Sequence, residues 1–269
     1  MNSFKIALLG LLWMTLLFSC DSAAETISPG DKNNMIIEFD QYVGNEKLVL
    51  NSKTYKNTAG EDFTISTLNF FVSNIALKKS DGTEVTFPDQ YFLVRQADAA
   101  SLKLTLKDVP AADYTSVRYT IGVDSLKSVS DLSQRKGVLD PASYGNDNMY
   151  WSWNSGYIFF KIEGSSPLSS DPAKVFMYHV GGYGGYTGKT PNNLRTITAD
   201  FGGNTATVRK DISPTVHIIT DAGQVFSAGL RISTTSMIHS PAAAKPVADG
   251  YVNMFKVDHV HNDKHDHKE

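Results

Sequence analysis

The chain has 269 residues, with 25 basic and 28 acidic side chains and a formal net charge of −3 at pH 7. The two signs of charge are mixed along the sequence, and no basic stripe indicates a nucleic-acid partner. Aromatic residues make up 11% of the sequence and there are 20 glycines, a composition that favours strands and turns over long helices.

The N-terminus has the pattern of an export signal. Lys5 precedes an apolar run at residues 6–18, which suits the core of a signal peptide and is too short to span a bilayer comfortably. Leu17-Phe18-Ser19-Cys20 then reads as a lipobox, and Cys20 is the only cysteine. We therefore predict a lipoprotein signal peptide at 1–19, lipidation of Cys20, and a lipid-anchored protein of the cell envelope. The expected location is the outer membrane, facing the periplasm or the cell surface.

Residues 20–34 are polar and contain Ser-Pro-Gly-Asp, which predicts a flexible tether after the lipidated cysteine. The first predicted strand follows it. There Ile37 and Phe39 fall on one face, because side chains alternate along a strand. Glu38 and Asp40 fall on the opposite face.

Short alternating or β-branched runs predict a series of strands, separated by turn residues. They are 35–43, 63–78, 84–87, 91–95, 102–106, 114–123, 149–163, 175–180, 195–201, 205–208, 215–220 and 230–233. Residues 124–148 break this pattern and predict a helical turn at 126–134 followed by a loop. The predicted fold class is all-β: one antiparallel, Greek-key-like β-sandwich over 35–257, followed by a His-rich tail at 258–269.

Several catalytic motifs do not occur in the sequence. There is no Gly-x-Ser-x-Gly elbow, no His-Glu-x-x-His pair and no Gly-rich phosphate loop before a helix. Attachment of a c-type haem would need Cys-x-x-Cys-His, which is also missing. We therefore expect a protein that is not an enzyme.

Met149, Trp151 and Trp153 occupy positions i, i+2 and i+4 of a predicted strand. Their side chains are expected to project from one face, with about 7 Å between successive residues. Packing in the core is the alternative interpretation for both tryptophans.

Histidine and methionine recur at matching spacings. Met177 and His179 share a face of one predicted strand, and Met237 and His239 repeat the Met-x-His spacing. His217 lies in another predicted strand. Imidazole and thioether together suit copper, and Cu(I) in particular. A hydrogen-bonded structural role is the alternative for each histidine.

Several sequence motifs resemble those of the MbnP-like family, which is named for the periplasmic protein associated with methanobactin copper uptake. The main one is Met149-Tyr-Trp-Ser-Trp-Asn-Ser-Gly-Tyr-Ile-Phe-Phe-Lys-Ile-Glu-Gly164. Leu139-Asp140-Pro141 precedes it and His179-Val180-Gly181 follows it. Two upstream words are also similar to the family's strand motifs, Leu68-Asn-Phe-Phe-Val-Ser-Asn-Ile-Ala-Leu77 and Tyr119-Thr-Ile-Gly-Val-Asp124.

The resemblance covers residues 35–257 and implies an exported β-sandwich that binds copper. It also implies a dihaem cytochrome c peroxidase-like partner that oxidises a tryptophan to kynurenine, whose aniline nitrogen and ketone oxygen can help to bind the metal. By motif position, Trp151 or Trp153 is the candidate for oxidation and His179 is a candidate ligand. His217 and His239 remain the two options for a further ligand.

The last residues form a separate feature. Two His-x-His pairs, His259 with His261 and His265 with His267, are interrupted by acidic residues. Neutral imidazoles on a flexible tail can capture Cu(II), Zn(II) or Ni(II), so these four residues form a predicted secondary metal site. A solvated polar terminus is the alternative.

These observations predict a lipid-anchored copper-binding protein. The alternative function is a non-catalytic module that binds a glycan or a protein, with an aromatic platform formed by Trp151, Trp153, Tyr183 and Tyr186. A platform requires solvent-facing rings, whereas a metal site requires His179 near a tryptophan in a confined pocket. A purely structural envelope protein, with the tryptophans in its core, is a third possibility.

Overall fold

The computed structural model describes residues 27–28, 30–152, 156–185, 188–189 and 191–264. Within these ranges the chain is built mainly of strands. The strands are β1 (Lys32–Val43), β2 (Glu46–Lys47), β3 (Tyr55–Lys56), β4 (Asp62–Lys79), β5 (Glu84–Phe87), β6 (Phe92–Arg95), β7 (Lys103–Pro110), β8 (Ala112–Ile121), β9 (Ile158–Ser165), β10 (Val175–Gly181), β11 (Arg195–Asp200), β12 (Ala206–Val208), β13 (Ile212–Asp221), β14 (Met237–Ile238) and β15 (Phe255–Lys264).

Short helices connect some of the strands. The α-helices are α1 (Ser125–Ser128) and α2 (Lys245–Tyr251), and the 3-10 helices are Ala99–Leu102, Leu132–Gln134, Gly137–Leu139, Pro141–Asp147 and Ala222–Phe226. No helix in the described ranges is long and apolar enough to cross a bilayer. The predicted signal peptide, Cys20, Trp153, His265 and His267 lie outside the described residues.

The strands form two sheets. The smaller has the order β15-β13-β1-β2, with β7 also paired to β1. The larger has the order β11-β8-β4-β9-β10-β14, with β12 paired to β8 and with β3, β5 and β6 paired to β4. Most pairings are antiparallel as predicted, but β1 with β13 and β10 with β14 are parallel. A short hairpin would force two strands to run antiparallel. The strands of these two pairs are far apart in the sequence and are not joined by a hairpin, so they can pair in parallel.

Aromatic side chains hold the two sheets face to face. Phe39 of the smaller sheet makes edge-to-face contacts with Phe70 and Tyr119 of the larger, at ring-centroid distances of 5.5 and 5.7 Å. All three are fully buried, and each such pair contributes about 0.5–1.5 kcal/mol beyond its burial. The predicted all-β sandwich is confirmed, and Phe39 lies on the face that the alternation predicts.

A second, smaller apolar cluster lies on the outer face of the larger sheet. Phe71 and Phe159 point outward into it from β4 and β9, whereas their neighbours Phe70 and Phe160 point into the main core. The irregular segment 124–150 adds Leu139, Tyr144 and Met149 to the cluster. This part of the larger sheet is therefore covered on both faces.

The prediction of a strand at 230–233 is wrong, because these residues form no strand and lead into a turn at 232–234. The backbone amides of Ile232 and Ser233 donate to the carboxylate of Glu61, at 2.8 and 3.1 Å. Glu61 is only 4% exposed. A buried side chain therefore satisfies the backbone donors that a neighbouring strand would otherwise have to satisfy.

The predicted boundary between the sandwich and the tail also differs from the structure. Residues 258–264 belong to β15, which pairs antiparallel with β13 from Thr220↔Phe255 to Ile212↔Lys264. Val257 and Val260 pack against the main core. The first part of the predicted flexible tail is therefore an edge strand of the smaller sheet, and it carries His259 and His261.

Candidate metal centre

Two Met-x-His motifs lie side by side on neighbouring strands of the larger sheet. β10 and β14 pair in parallel, with Met177 opposite Met237 and Tyr178 opposite Ile238. Continuing this register by one residue brings His179 level with His239. Tyr178 and Ile238 are buried in the main core, so the alternation of side chains directs both methionines and both histidines to the outer face.

The two imidazoles converge on one point. Nδ1 of His179 lies 3.1 Å from Nδ1 of His239, and the rings are nearly perpendicular, at 80°. Two nitrogens that each bind one ion at about 2.0–2.1 Å with roughly tetrahedral angles lie about 3.3 Å apart. The observed spacing therefore suits two ligands of a single metal ion after a very small adjustment.

Glu163 orients the first of these rings. Its Oε1 lies 2.7 Å from Nε2 of His179, and Lys161 Nζ lies 3.3 Å from the same oxygen. Burial disfavours the charged carboxylate, but the hydrogen bond with His179 and the charge of Lys161 outweigh it and lower the pKa of Glu163 to about 2. A carboxylate on the far nitrogen of a histidine fixes the ring and raises its basicity as a ligand.

His239 is held in the form that binds metals. Desolvation of its ring and the adjacent His179 lower its pKa. A lower pKa favours the neutral imidazole at neutral pH, and only that form has a free lone pair for a metal. His239 is exposed whereas His179 is mostly buried, so the pair opens to solvent on the His239 side.

The segment around Trp151 departs from the predicted continuous strand at 149–163, because β9 begins only at Ile158. The Trp151 amide donates to the Gly156 carbonyl at 2.7 Å, and Ile158 donates to Met149 at 2.9 Å. Gly156 has φ +65°, a conformation that glycine adopts readily at a chain reversal. Trp153 lies outside the described residues, so its predicted shared face with Trp151 is not observed.

Trp151 nevertheless packs against the strand that carries His179. A Cβ added to Gly181 would stand 2.6 Å from Cζ3 of Trp151, so the indole covers the backbone two residues after His179, or about 7 Å along the strand. The indole is 9% exposed. It also borders an open pocket of about 390 Å³ lined by Pro141, Asn148 and Tyr150.

Met149 and His217 do not belong to this pair. Met149 is fully buried in the smaller cluster, beside Trp151. His217 points outward from β13 in the smaller sheet, where it meets His259 and His261. Of the two options for a partner of His179, the structure places His239 beside it and places His217 in a separate cluster.

The aromatic platform is not formed by its described members. Trp151 and Tyr183 are 9% and 7% exposed, and both pack into the smaller cluster. Tyr186, like Trp153, lies outside the described residues. The two described rings therefore lack the exposure that stacking on a glycan requires.

Lys161 and Glu163 were not predicted as site residues. They alternate with buried Phe160 and Ile162 in an otherwise apolar strand. Lys161 is only 6% exposed, and its Nζ donates to the carbonyl of Asp147 at 2.6 Å. The signal available in the sequence was a pair of charged residues within an otherwise apolar run, since such groups are seldom buried without a partner.

Comparison with known proteins agrees with the fold. The MbnP family model matches residues 32–241. Among solved structures, MbnP from Methylosinus trichosporium matches with a TM-score of 0.51 at 14% sequence identity, over 76% of this chain and 80% of that chain. No curated protein sequence matches the chain. The matched range contains His179 and His239, and it ends before β15.

Proposed function

Because the chain belongs to the MbnP family, we propose that it is a copper-binding protein of the cell envelope, with His179 and His239 as ligands. The observation that carries the proposal is the 3.1 Å approach of their Nδ1 atoms. The family resemblance adds an association with methanobactin and a periplasmic setting. We further propose that the protein binds or carries copper and does not catalyse a reaction with turnover.

The donor set around the pair suits Cu(I). Two imidazoles supply borderline nitrogen ligands, and Met177 and Met237 supply thioethers on the same face, two residues before the histidines on each strand. Soft sulfur donors select Cu(I) over harder divalent ions. Glu163 lies on the far nitrogen of His179, where it acts as an orienting acceptor and leaves Nδ1 directed at the metal.

Trp151 is the candidate for oxidation that lies within the described residues. Its indole covers Gly181, close to His179, and kynurenine at this position would add a nitrogen and an oxygen donor to the two histidines. We propose a dihaem cytochrome c peroxidase-like partner for this modification, as the family resemblance implies. The open pocket beside Trp151 leaves that side of the segment accessible from solvent.

We also propose that Cys20 carries a lipid that holds the protein on a membrane, most simply the outer membrane. The support is the lipobox word Leu17-Phe18-Ser19-Cys20 after an apolar run. A lipid anchor of several acyl chains would give stable attachment without a membrane-spanning helix.

The copper site can be tested by anaerobic competition between the protein and a chromophoric Cu(I) chelator. His179→Ala and His239→Ala should each weaken Cu(I) binding at least tenfold, because even an orienting group outside the ligand set contributes roughly 10- to 100-fold. The parent chain and all variants carry His217→Ala and His259→Ala, so that the histidine cluster of the other sheet cannot contribute. His265→Ala is the matched control, since it also removes one imidazole, and it should change the affinity less than about twofold. Equal affinities for all three variants would contradict the proposal.

Oxidation of tryptophan needs a separate test. The chain should be co-expressed with a dihaem peroxidase-like protein, and its peptides analysed by mass spectrometry. Gain of one oxygen and loss of one carbon at Trp151 supports kynurenine at that residue. The same change at Trp153 would move the modification to the other candidate, and an unchanged mass at both would remove this part of the proposal.

A further inference from the structure

Three histidines meet on the outer face of the smaller sheet, away from the His179 and His239 pair. One ligand atom each from His217, His259 and His261 lies within 4.8 Å of the other two. His259 Nε2 and His261 Nε2 are 2.8 Å apart. The rings of His217 and His259 stack with their centroids 4.3 Å apart.

A β-bulge places these rings together. His217 pairs with His259, but the next residue, Ile218, pairs with Val257, so Asp258 is an extra residue in β15. Without this insertion, Val257 and His259 would point to the same face, because side chains alternate. With the bulge, Val257 packs inward and His259 turns outward beside His217, as bulges commonly redirect side chains.

Carboxylates orient two of the three rings. Asp40 Oδ2 lies 2.9 Å from Nδ1 of His217, and Asp258 Oδ2 lies 2.7 Å from Nδ1 of His259. Each carboxylate accepts a hydrogen bond from the Nδ1–H group of its histidine, which leaves Nε2 as the nitrogen with the lone pair. Carboxylate–histidine pairs of this kind are the usual support of metal ligands.

A fourth potential donor, a carboxylate oxygen, lies next to the three imidazoles. Glu38 sits opposite His217 in the sheet, and its Oε2 is 3.8 Å from Nε2 of His217. The carboxylate also pairs with Lys103 Nζ at 3.2 Å, on the exposed side. A metal ion at the cluster would compete with Lys103 for this oxygen, or would take water as its fourth ligand.

We propose that His217, His259 and His261 form a second metal site, which binds one divalent ion of the Zn²⁺ or Cu²⁺ class. Three imidazoles with an oxygen or water as the fourth ligand suit these ions. The site lies in two different strands, β13 and β15, so the bound ion links the C-terminal strand to the rest of the smaller sheet. β15 lies beyond the range matched by the family, and this proposal is independent of copper binding at His179 and His239.

The test uses Zn²⁺ and the purified full chain carrying His179→Ala and His239→Ala, so that the other histidine pair cannot contribute. Calorimetric titration should show one Zn²⁺ bound per chain. Adding His217→Ala, or His261→Ala at the exposed end of the cluster, should weaken binding at least tenfold. The control is His265→Ala with His267→Ala, which removes two imidazoles near the end of the chain, one more than either test variant, and should change the affinity less than about twofold.

Two further measurements distinguish an ordered metal site from weak metal binding by the last residues of the chain. Co²⁺ in place of Zn²⁺ should give the intense visible absorption of a tetrahedral ion, and Zn²⁺ should slow amide hydrogen exchange in residues 255–264. The proposal is overturned if the parent chain binds no Zn²⁺, or if the His265 and His267 control abolishes binding. It is equally overturned if His217→Ala and His261→Ala leave the affinity unchanged while circular dichroism shows an intact fold.

Discussion

Nδ1 of His179 and Nδ1 of His239 lie 3.1 Å apart, although the two residues are separated by 60 positions in the sequence. The parallel pairing of β10 with β14 produces this contact, because it places the two Met-x-His motifs in register. Glu163 holds the far side of the His179 ring at 2.7 Å. The pair is therefore a positioned donor set, and its properties can be tested one group at a time.

The first prediction concerns stability in acid. The pKa of Glu163 is lowered to about 2, so ionised Glu163 stabilises the folded protein above the ordinary carboxyl pKa of about 4.5. This stabilisation, roughly 1–3 kcal/mol for a largely buried side chain, is lost as the pH falls from about 4.5 towards 2. Wild type should therefore lose stability relative to Glu163→Gln over that interval, as measured by urea unfolding.

Glu84→Gln is the control for this experiment. Glu84 also pairs with a basic residue, Arg118, but both side chains are exposed, and solvent screens such pairs. The effect of Glu84→Gln on the free energy of unfolding should therefore depend only weakly on pH. A difference between wild type and Glu163→Gln that stays constant from neutral pH to about pH 3 would contradict the charged role of Glu163.

The second prediction concerns the C-terminal strand. Deletion of residues 258–269 removes most of the pairing of β15 with β13, together with the packing of Val260. It should destabilise the fold by roughly 1–3 kcal/mol, from lost apolar burial and backbone hydrogen bonds. Deletion of residues 265–269 alone should leave the melting temperature unchanged.

Both truncated proteins should be melted in the presence of a chelator, so that metal binding does not enter the comparison. If the longer deletion melts like the intact chain, β15 does not contribute to the stability of the sandwich.

The third prediction concerns the anchor. Cys20→Ala should abolish incorporation of radiolabelled fatty acid and release the protein from the membrane fraction, because the thioether to the lipid cannot form. Cys20→Ser is a matched control for side-chain size and should behave in the same way. Continued fractionation of both variants with membranes would argue for a different mode of attachment.

Local patterns predicted much of the fold. The faces of β1 follow from alternation alone, since Ile37 and Phe39 are buried while Glu38 and Asp40 are only partly so. Such a pattern needs no knowledge of neighbouring strands. The turn at 232–234 was missed because its backbone donors bind Glu61, a contact across 171 positions that no local pattern contains.

The metal site could be predicted only in part, because it also depends on contacts between residues far apart in the sequence. The Met-x-His spacing identified His179 and His239 separately, but only the pairing of β10 with β14 decides that His239, and not His217, is the neighbour of His179. The polar composition at 258–264 suggested a solvated tail. The open edge of β13 instead supplies hydrogen-bond partners for its backbone, and an available edge elsewhere in the sheet cannot be inferred from the composition of the segment.

We expect one copper ion to bind between His179 and His239. The most direct measurement is an anomalous difference map, collected at the copper absorption edge from crystals of the Cu(I)-loaded full chain. We expect a strong peak about 2 Å from Nδ1 of both histidines, which should be lost in crystals of His239→Ala. A map with no density at this pair, or with copper only at His217, His259 and His261, would contradict it.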